Sequence, residues 1–132
     1  MNERLAIIID DEPDVATYLA IVLRDNGWEA LTANSAEEGI RLAEERVPDV
    51  VFLDIMMPKR GGMSTLVAFR KHPVLGQVPV IFVTGIQSHL TEDFEAYLDR
   101  FKHFHADAFI EKPVKPEVLL ETLERVLLTT VS

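Results

Sequence analysis

Residues 5–14 read LAIIIDDEPD: five apolar residues, then Asp10, Asp11 and Glu12, then a proline and Asp14. A continuous apolar run of this length, bounded by turn-forming residues, fits a strand covered on both faces, as in a parallel sheet. The acids that end it demand water or a cation. Two carboxylates about 4 Å apart repel by roughly 4 kcal/mol at the effective dielectric of a protein surface. A core strand that runs into such a cluster predicts a positive charge close by, or acids splayed into solvent.

Working outward, two more continuous apolar runs follow at 50–53 and 78–83, with shorter strand candidates at 29–33 and 108–110. Amphipathic stretches separate them. Val15, Leu19, Val22 and Leu23 make a helical stripe that Gly27 ends. The run SAEE at 35–38 has the form of a capping box, with Ser35 as N-cap and Glu38 three residues on, ahead of Ile40, Leu42 and Ala43. Residues 63–71 form a third helix candidate, and Leu90, Phe94, Tyr97, Leu98 and Phe101 mark a fourth. Pro116 opens the last, carried by Leu119, Leu120, Leu123, Val126 and Leu127. Strand and helix alternate five times, which predicts right-handed crossovers and a parallel sheet with helices on both sides. The expected fold is an α/β three-layer sandwich with five strands and five helices.

Bulk composition bounds the rest. The 132 residues suit one domain with a single core. Thirteen basic against 22 acidic residues give a net charge of −9, which argues against a nucleic-acid partner. Lys59–Arg60 and Arg70–Lys71 are isolated pairs, and RFKHFH at 100–105 reads as solvated charge between aromatics at helical spacing. The absence of cysteine excludes disulfides, thiolate metal sites and a cysteine nucleophile. The N-terminus has no signal-peptide pattern, and no segment approaches membrane-spanning length, so a cytoplasmic protein without a membrane partner is expected.

The polar residues at the strand ends then acquire a common meaning. Asp10 and Asp11 follow the first strand, Asp54 ends the third in DVVFLDIMMP, Thr84 the fourth in PVIFVTG, and Lys112 the fifth in AFIEKP. In an open α/β sheet these carboxyl ends share one edge, where ligands bind. Three Asp, one Thr and one Lys therefore converge. Hard oxygen donors at this density suit Mg²⁺, which takes one or two carboxylates and keeps several waters and a phosphate oxygen. Asp54 can act as a nucleophile for a phosphoryl group, while Lys112 and the metal neutralise charge on the group in transfer. Taken singly, each residue is an ordinary cap or turn residue. At successive strand ends in this order, coincidence is the minority explanation.

On IIIDDEP, VVFLDIMMP, VIFVTG and AFIEKP, the chain resembles the receiver domain of two-component response regulators over nearly its whole length. The resemblance implies the flavodoxin-like strand order 2-1-3-4-5. It implies that Asp54 accepts a phosphoryl group from a histidine kinase or phosphotransfer protein. Asp11, Asp54 and the Met56 backbone carbonyl would bind Mg²⁺, with Asp10 acting mainly through water. Thr84 and Lys112 would hold phosphoryl oxygens. Phe109 stands at the position of the switch aromatic, moving inward as Thr84 swings towards the phosphate and changing the face made by the fourth helix, fifth strand and fifth helix. The alternative for Phe109 is a static core residue.

Departures from the family pattern are informative. Gly61–Gly62 stand where an Asp is frequent, with no expected loss of chemistry. Twenty-seven residues separate Thr84 from Lys112, longer than usual in the family by roughly two helical turns. The stretch SHLTEDFEAYLDRFKHFHAD thus reads as an enlarged fourth helix, whose Phe94, Tyr97, Phe101 and Phe104 serve either a partner or homodimer surface or the core. Positions that flank the hydrolytic water in the family carry Met56 and Ile86, both apolar. The phosphorylated state should therefore outlast that of a Met56→Asn variant. Equal rates of phosphate loss from the two proteins, followed by mass, would refute this.

The leading expectation is a phosphorylation-dependent signalling switch, not an enzyme. A Mg²⁺-dependent aspartyl-nucleophile phosphatase is the alternative. It would want a second acid two residues after Asp54, where Met56 stands. A phosphate-independent interaction domain of the same fold would have lost site residues, and none is missing. Residues 1–132 read as a single receiver domain with no space among them for an output domain. Either a free-standing receiver acting on an output protein, or part of a longer regulator or hybrid kinase, fits that reading.

Overall fold

The computed structural model describes residues 4–55, 62–85 and 106–131. Its strands are β1 (Leu5–Ile9), β2 (Glu29–Ala33), β3 (Val50–Asp54), β4 (Val80–Thr84) and β5 (Ala108–Glu111). All pair in parallel, in the order β2-β1-β3-β4-β5. The helices are α1 (Pro13–Asp25), α2 (Ala36–Glu45), α3 (Gly62–Lys71) and α4 (Pro116–Val131), with a 3₁₀ turn at Leu75–Gln77. Four α-helices thus stand among the described residues where five were expected. The missing one, with Phe94, Tyr97, Phe101 and Phe104, lies outside them.

Pleating sends alternate residues of each strand to opposite layers. Ile8, Phe52 and Ile81 pack with α1 and α4 through Leu19, Leu23, Leu119 and Leu123. Ile7, Leu53 and Phe82 pack on the other side with Ala43 of α2 and with Leu66 and Phe69 of α3. Because both faces are covered, β1 and β3 are buried at every position. Their unbroken apolar runs are the sequence image of that burial.

Local chemistry fixes the ends of these elements. Proline begins α1 where its missing N–H costs nothing, and Gly27 turns the chain out of it at φ +87°. Ser35 Oγ accepts the Glu38 N–H at 3.2 Å, as a capping box requires. The returning Glu38 carboxylate, however, takes the Asn34 N–H at 2.8 Å, one residue before the cap. The strand expected from 78 starts instead at Val80. Val78 donates its N–H to Leu75 to close the 3₁₀ turn, and Pro79 has no N–H to give.

Two aspartates pin the lower edge of the sheet in the same way. Asp49 donates its N–H to the Leu5 carbonyl and accepts the Leu5 N–H on Oδ2 at 2.8 Å. Asp107 donates to the Val80 carbonyl and accepts the Val80 N–H on Oδ2 at 2.8 Å. Arg70 adds to the second pin, reaching Asp107 Oδ2 at 2.9 Å and the Val78 carbonyl at 2.7 Å. Asp107→Ala would leave the N–H of fully buried Val80 without its acceptor. We expect that substitution to cost about 1–3 kcal/mol, read from urea unfolding. A loss under a few tenths would show that the ladder re-forms without it.

Candidate functional site

The register decides which side chains meet. Ile9 pairs with Leu53, Asp54 with Val83, and Thr84 with Glu111. Asp10, Asp54, Thr84 and Lys112 therefore fall at the carboxyl ends of β1, β3, β4 and β5, on one edge of the sheet. Four carboxylates gather there: oxygens of Asp10, Asp11, Glu12 and Asp54 all lie within 4.8 Å of one another. Asp54 is 3 % exposed and Asp10 only 1 %.

Lys112 supplies the positive charge that this cluster demands. Its ammonium lies 3.1 Å from Glu12 Oε1, 3.2 Å from Asp10 Oδ2 and 3.7 Å from Asp54 Oδ2. Burial works against the charged form of Lys112. The hydrogen bond with Glu12 and the charges of Asp54 and Asp10 outweigh it and raise the ammonium's pKa above the ordinary lysine value. Gly85 borders the same side chain, with the place of an absent Cβ 3.8 Å from Lys112 Cδ.

The residues fit a hard divalent cation. Asp10 Oδ1 accepts the Glu12 N–H at 2.9 Å, but buried Oδ2 accepts no hydrogen bond, although the ammonium stands 3.2 Å away. A buried carboxylate oxygen with unused acceptor capacity, among three other carboxylates, is a donor set for Mg²⁺. The expected Met56 carbonyl lies outside the described residues, as does Ile86. For Thr84 the backbone position at the end of β4 is what the structure describes.

Phe109 is 48 % exposed in this structure. Its ring leans on Phe82, with centroids 5.5 Å apart and planes at 43°. Phe82 lies two residues before Thr84, on the sheet face opposite the α1 and α4 layer.

Sequence reasoning left Glu12 without a role. Its place directly after Asp10–Asp11 was the available signal, but the separation of 100 positions from Lys112 hid the contact. Tyr18 was missed for the same reason. Its hydroxyl donates to the Val114 carbonyl at 2.9 Å, tying α1 to the loop that follows Lys112. The two line one wall of a groove of about 620 Å³ shared with Val15, Glu12 and Lys112. Tyr18→Phe should cost about 1 kcal/mol in chemical unfolding and speed amide exchange in the loop at 112–115. Unchanged exchange there would mean that other contacts hold the loop.

Among the described residues no helix is long and apolar enough to cross a membrane. A family model described as the response regulator receiver domain matches residues 6–124. Protein PilH of Pseudomonas aeruginosa is 34 % identical over 121 residues, which are 92 % of this chain and 95 % of that protein. The alkaline phosphatase synthesis transcriptional regulatory protein PhoP of Bacillus subtilis is 28 % identical over 127 residues, 96 % of this chain but 49 % of its own length. Among solved structures, the chemotaxis protein CheY4 of Vibrio cholerae superposes with a TM-score of 0.84 at 26 % identity, covering 95 % of this chain and 99 % of that one.

Proposed function

Because this chain belongs to the response regulator receiver domain family of two-component signalling, we propose that it is a switch set by phosphorylation of Asp54. The donor is a histidine kinase or a phosphotransfer protein. An Asp54 carboxylate oxygen attacks phosphorus, the new P–O bond replaces the P–N bond of phosphohistidine, and the imidazole leaves neutral because its other ring nitrogen has already taken a proton from solvent. The observation that carries this reading is the meeting of buried Asp54 with Asp10 and the Lys112 ammonium at one sheet edge.

In this reading Asp11 and Asp54, with Asp10 mainly through water and the Met56 carbonyl, would hold Mg²⁺. When bound, the ion neutralises charge on the transferred group and relieves the repulsion among the acids. Lys112 pairs with one phosphoryl oxygen, and the Thr84 hydroxyl donates to another. The modification adds about −1.5 to −2 charge at the end of β3. Thr84 and Phe109 pass the change to the face around β5 and α4, which meets an output protein or output domain. Residues 1–132 form one receiver domain in this account, and that face is also where a homodimer would form.

A phosphatase using Asp54 is disfavoured because Met56, an apolar residue, stands two residues after Asp54, where a general acid would be wanted. Incubation with acetyl phosphate and Mg²⁺ tests the proposal. One phosphoryl group should appear by intact mass in the wild type, none in Asp54→Ala, and none after chelation of the metal. Equal uptake by Asp54→Ala would overturn the reading.

A further inference from the structure

Lys112 stands closer to Glu12 and Asp10 than to the acceptor it would serve: 3.1 and 3.2 Å against 3.7 Å. Glu12 has no competing local duty. It occupies the N-cap of α1, yet its side chain makes no capping hydrogen bond. Its backbone does that work, since the Glu12 carbonyl accepts the Val15 and Ala16 N–H groups and its own N–H goes to Asp10 Oδ1. The carboxylate is thus directed at Lys112 alone among the described partners. Both side chains also line the groove beside the acceptor.

We propose that Glu12 is a positioning residue for phosphoryl transfer, holding the Lys112 ammonium in a waiting place until the incoming phosphoryl group draws it off. The inference rests on Asp54 as the acceptor. The Glu12 side chain is exposed, and ion pairs with an exposed partner are weak. A weak contact suits a restraint that must yield. Asp10 is different in kind, because it is buried and its place is fixed by the Glu12 amide. Release of Lys112 therefore means the breaking of the Glu12 contact first.

Two substitutions separate holding from simple charge. Glu12→Gln removes the carboxylate's charge. Glu12→Asp keeps the charge but draws it back by one methylene, out of reach of the ammonium. Phosphorylation of Asp54 by acetyl phosphate and Mg²⁺, timed by intact mass, should quicken roughly 1.5- to fivefold in both. In a Lys112→Ala background neither substitution should alter the rate, because Glu12 acts through Lys112. In metal-free protein the Lys112 Nζ and Asp54 Cγ NMR signals should move in both variants. Acceleration in Glu12→Gln alone would assign the effect to charge and overturn the proposal, as would unchanged rates and unchanged signals. Failure of the wild type to take up phosphate would overturn the acceptor reading itself, whereas normal uptake with inert Glu12 variants overturns only the role of Glu12.

Discussion

Lys112→Ala should slow phosphoryl uptake from acetyl phosphate by about 10²–10³-fold, the usual consequence of removing a charge aimed at the group in transfer. The same substitution should unsettle the resting protein. It removes the ammonium that lies 3.2 Å from Asp10 and 3.7 Å from Asp54, both buried. Breaking a fully buried pair costs about 3–5 kcal/mol, and a smaller loss of about 2 kcal/mol is expected where one carboxylate of the set is exposed to solvent. The two effects have a shared signature. Added Mg²⁺ should raise the melting temperature of Lys112→Ala more than that of the wild type, since the variant lacks the ammonium that partly neutralises Asp10 and Asp54. Kinetics within threefold of wild type, or equal responses to Mg²⁺, would contradict the assignment of Lys112.

Phe52→Ala should cost about 3–5 kcal/mol of stability. Phe52 is 1 % exposed, on the central strand, with Ile8 and Ile81 as its cross-strand neighbours. Its ring fills the layer between the sheet and the α1 and α4 helices. Against a total stability of about 5–15 kcal/mol, the loss is roughly a fifth or more, and a fall in melting temperature of roughly 10–20 °C should follow. Val74→Ala offers the contrast. That side chain is exposed before the 3₁₀ turn, and its removal should change stability by no more than about 0.5 kcal/mol. A similar response of the two variants would mean that the core is not packed as described.

Local readings and long-range readings fared differently. The strands at 5–9 and 29–33, the helix stop at Gly27 and the helix start at Pro116 follow from propensities written over a few residues. So does the three-layer architecture, because continuous apolar strands have only one way to cover both faces. The start of β4 was misplaced by two residues. Apolar character alone cannot distinguish Val78, whose N–H closes a 3₁₀ turn, from the strand residues that follow Pro79.

What the sequence by itself determined is the set of groups at the carboxyl edge: Asp10, Asp11, Asp54, Thr84 and Lys112, each the residue at or just past the end of an apolar run. Strand ends are local events, and parallel pairing brings them to one edge however long the connections are. Which of those groups touch was decided only in three dimensions. The preference of Lys112 for Glu12 and Asp10 over Asp54, the burial of Asp10, the Tyr18 tie to Val114 and the aspartate pins at 49 and 107 all depend on how distant segments pack. Register is set by the fit of side chains from distant segments, and a hydrogen bond acts over only about 3 Å. Contacts on that scale depend on tertiary packing, which no single stretch of the chain encodes.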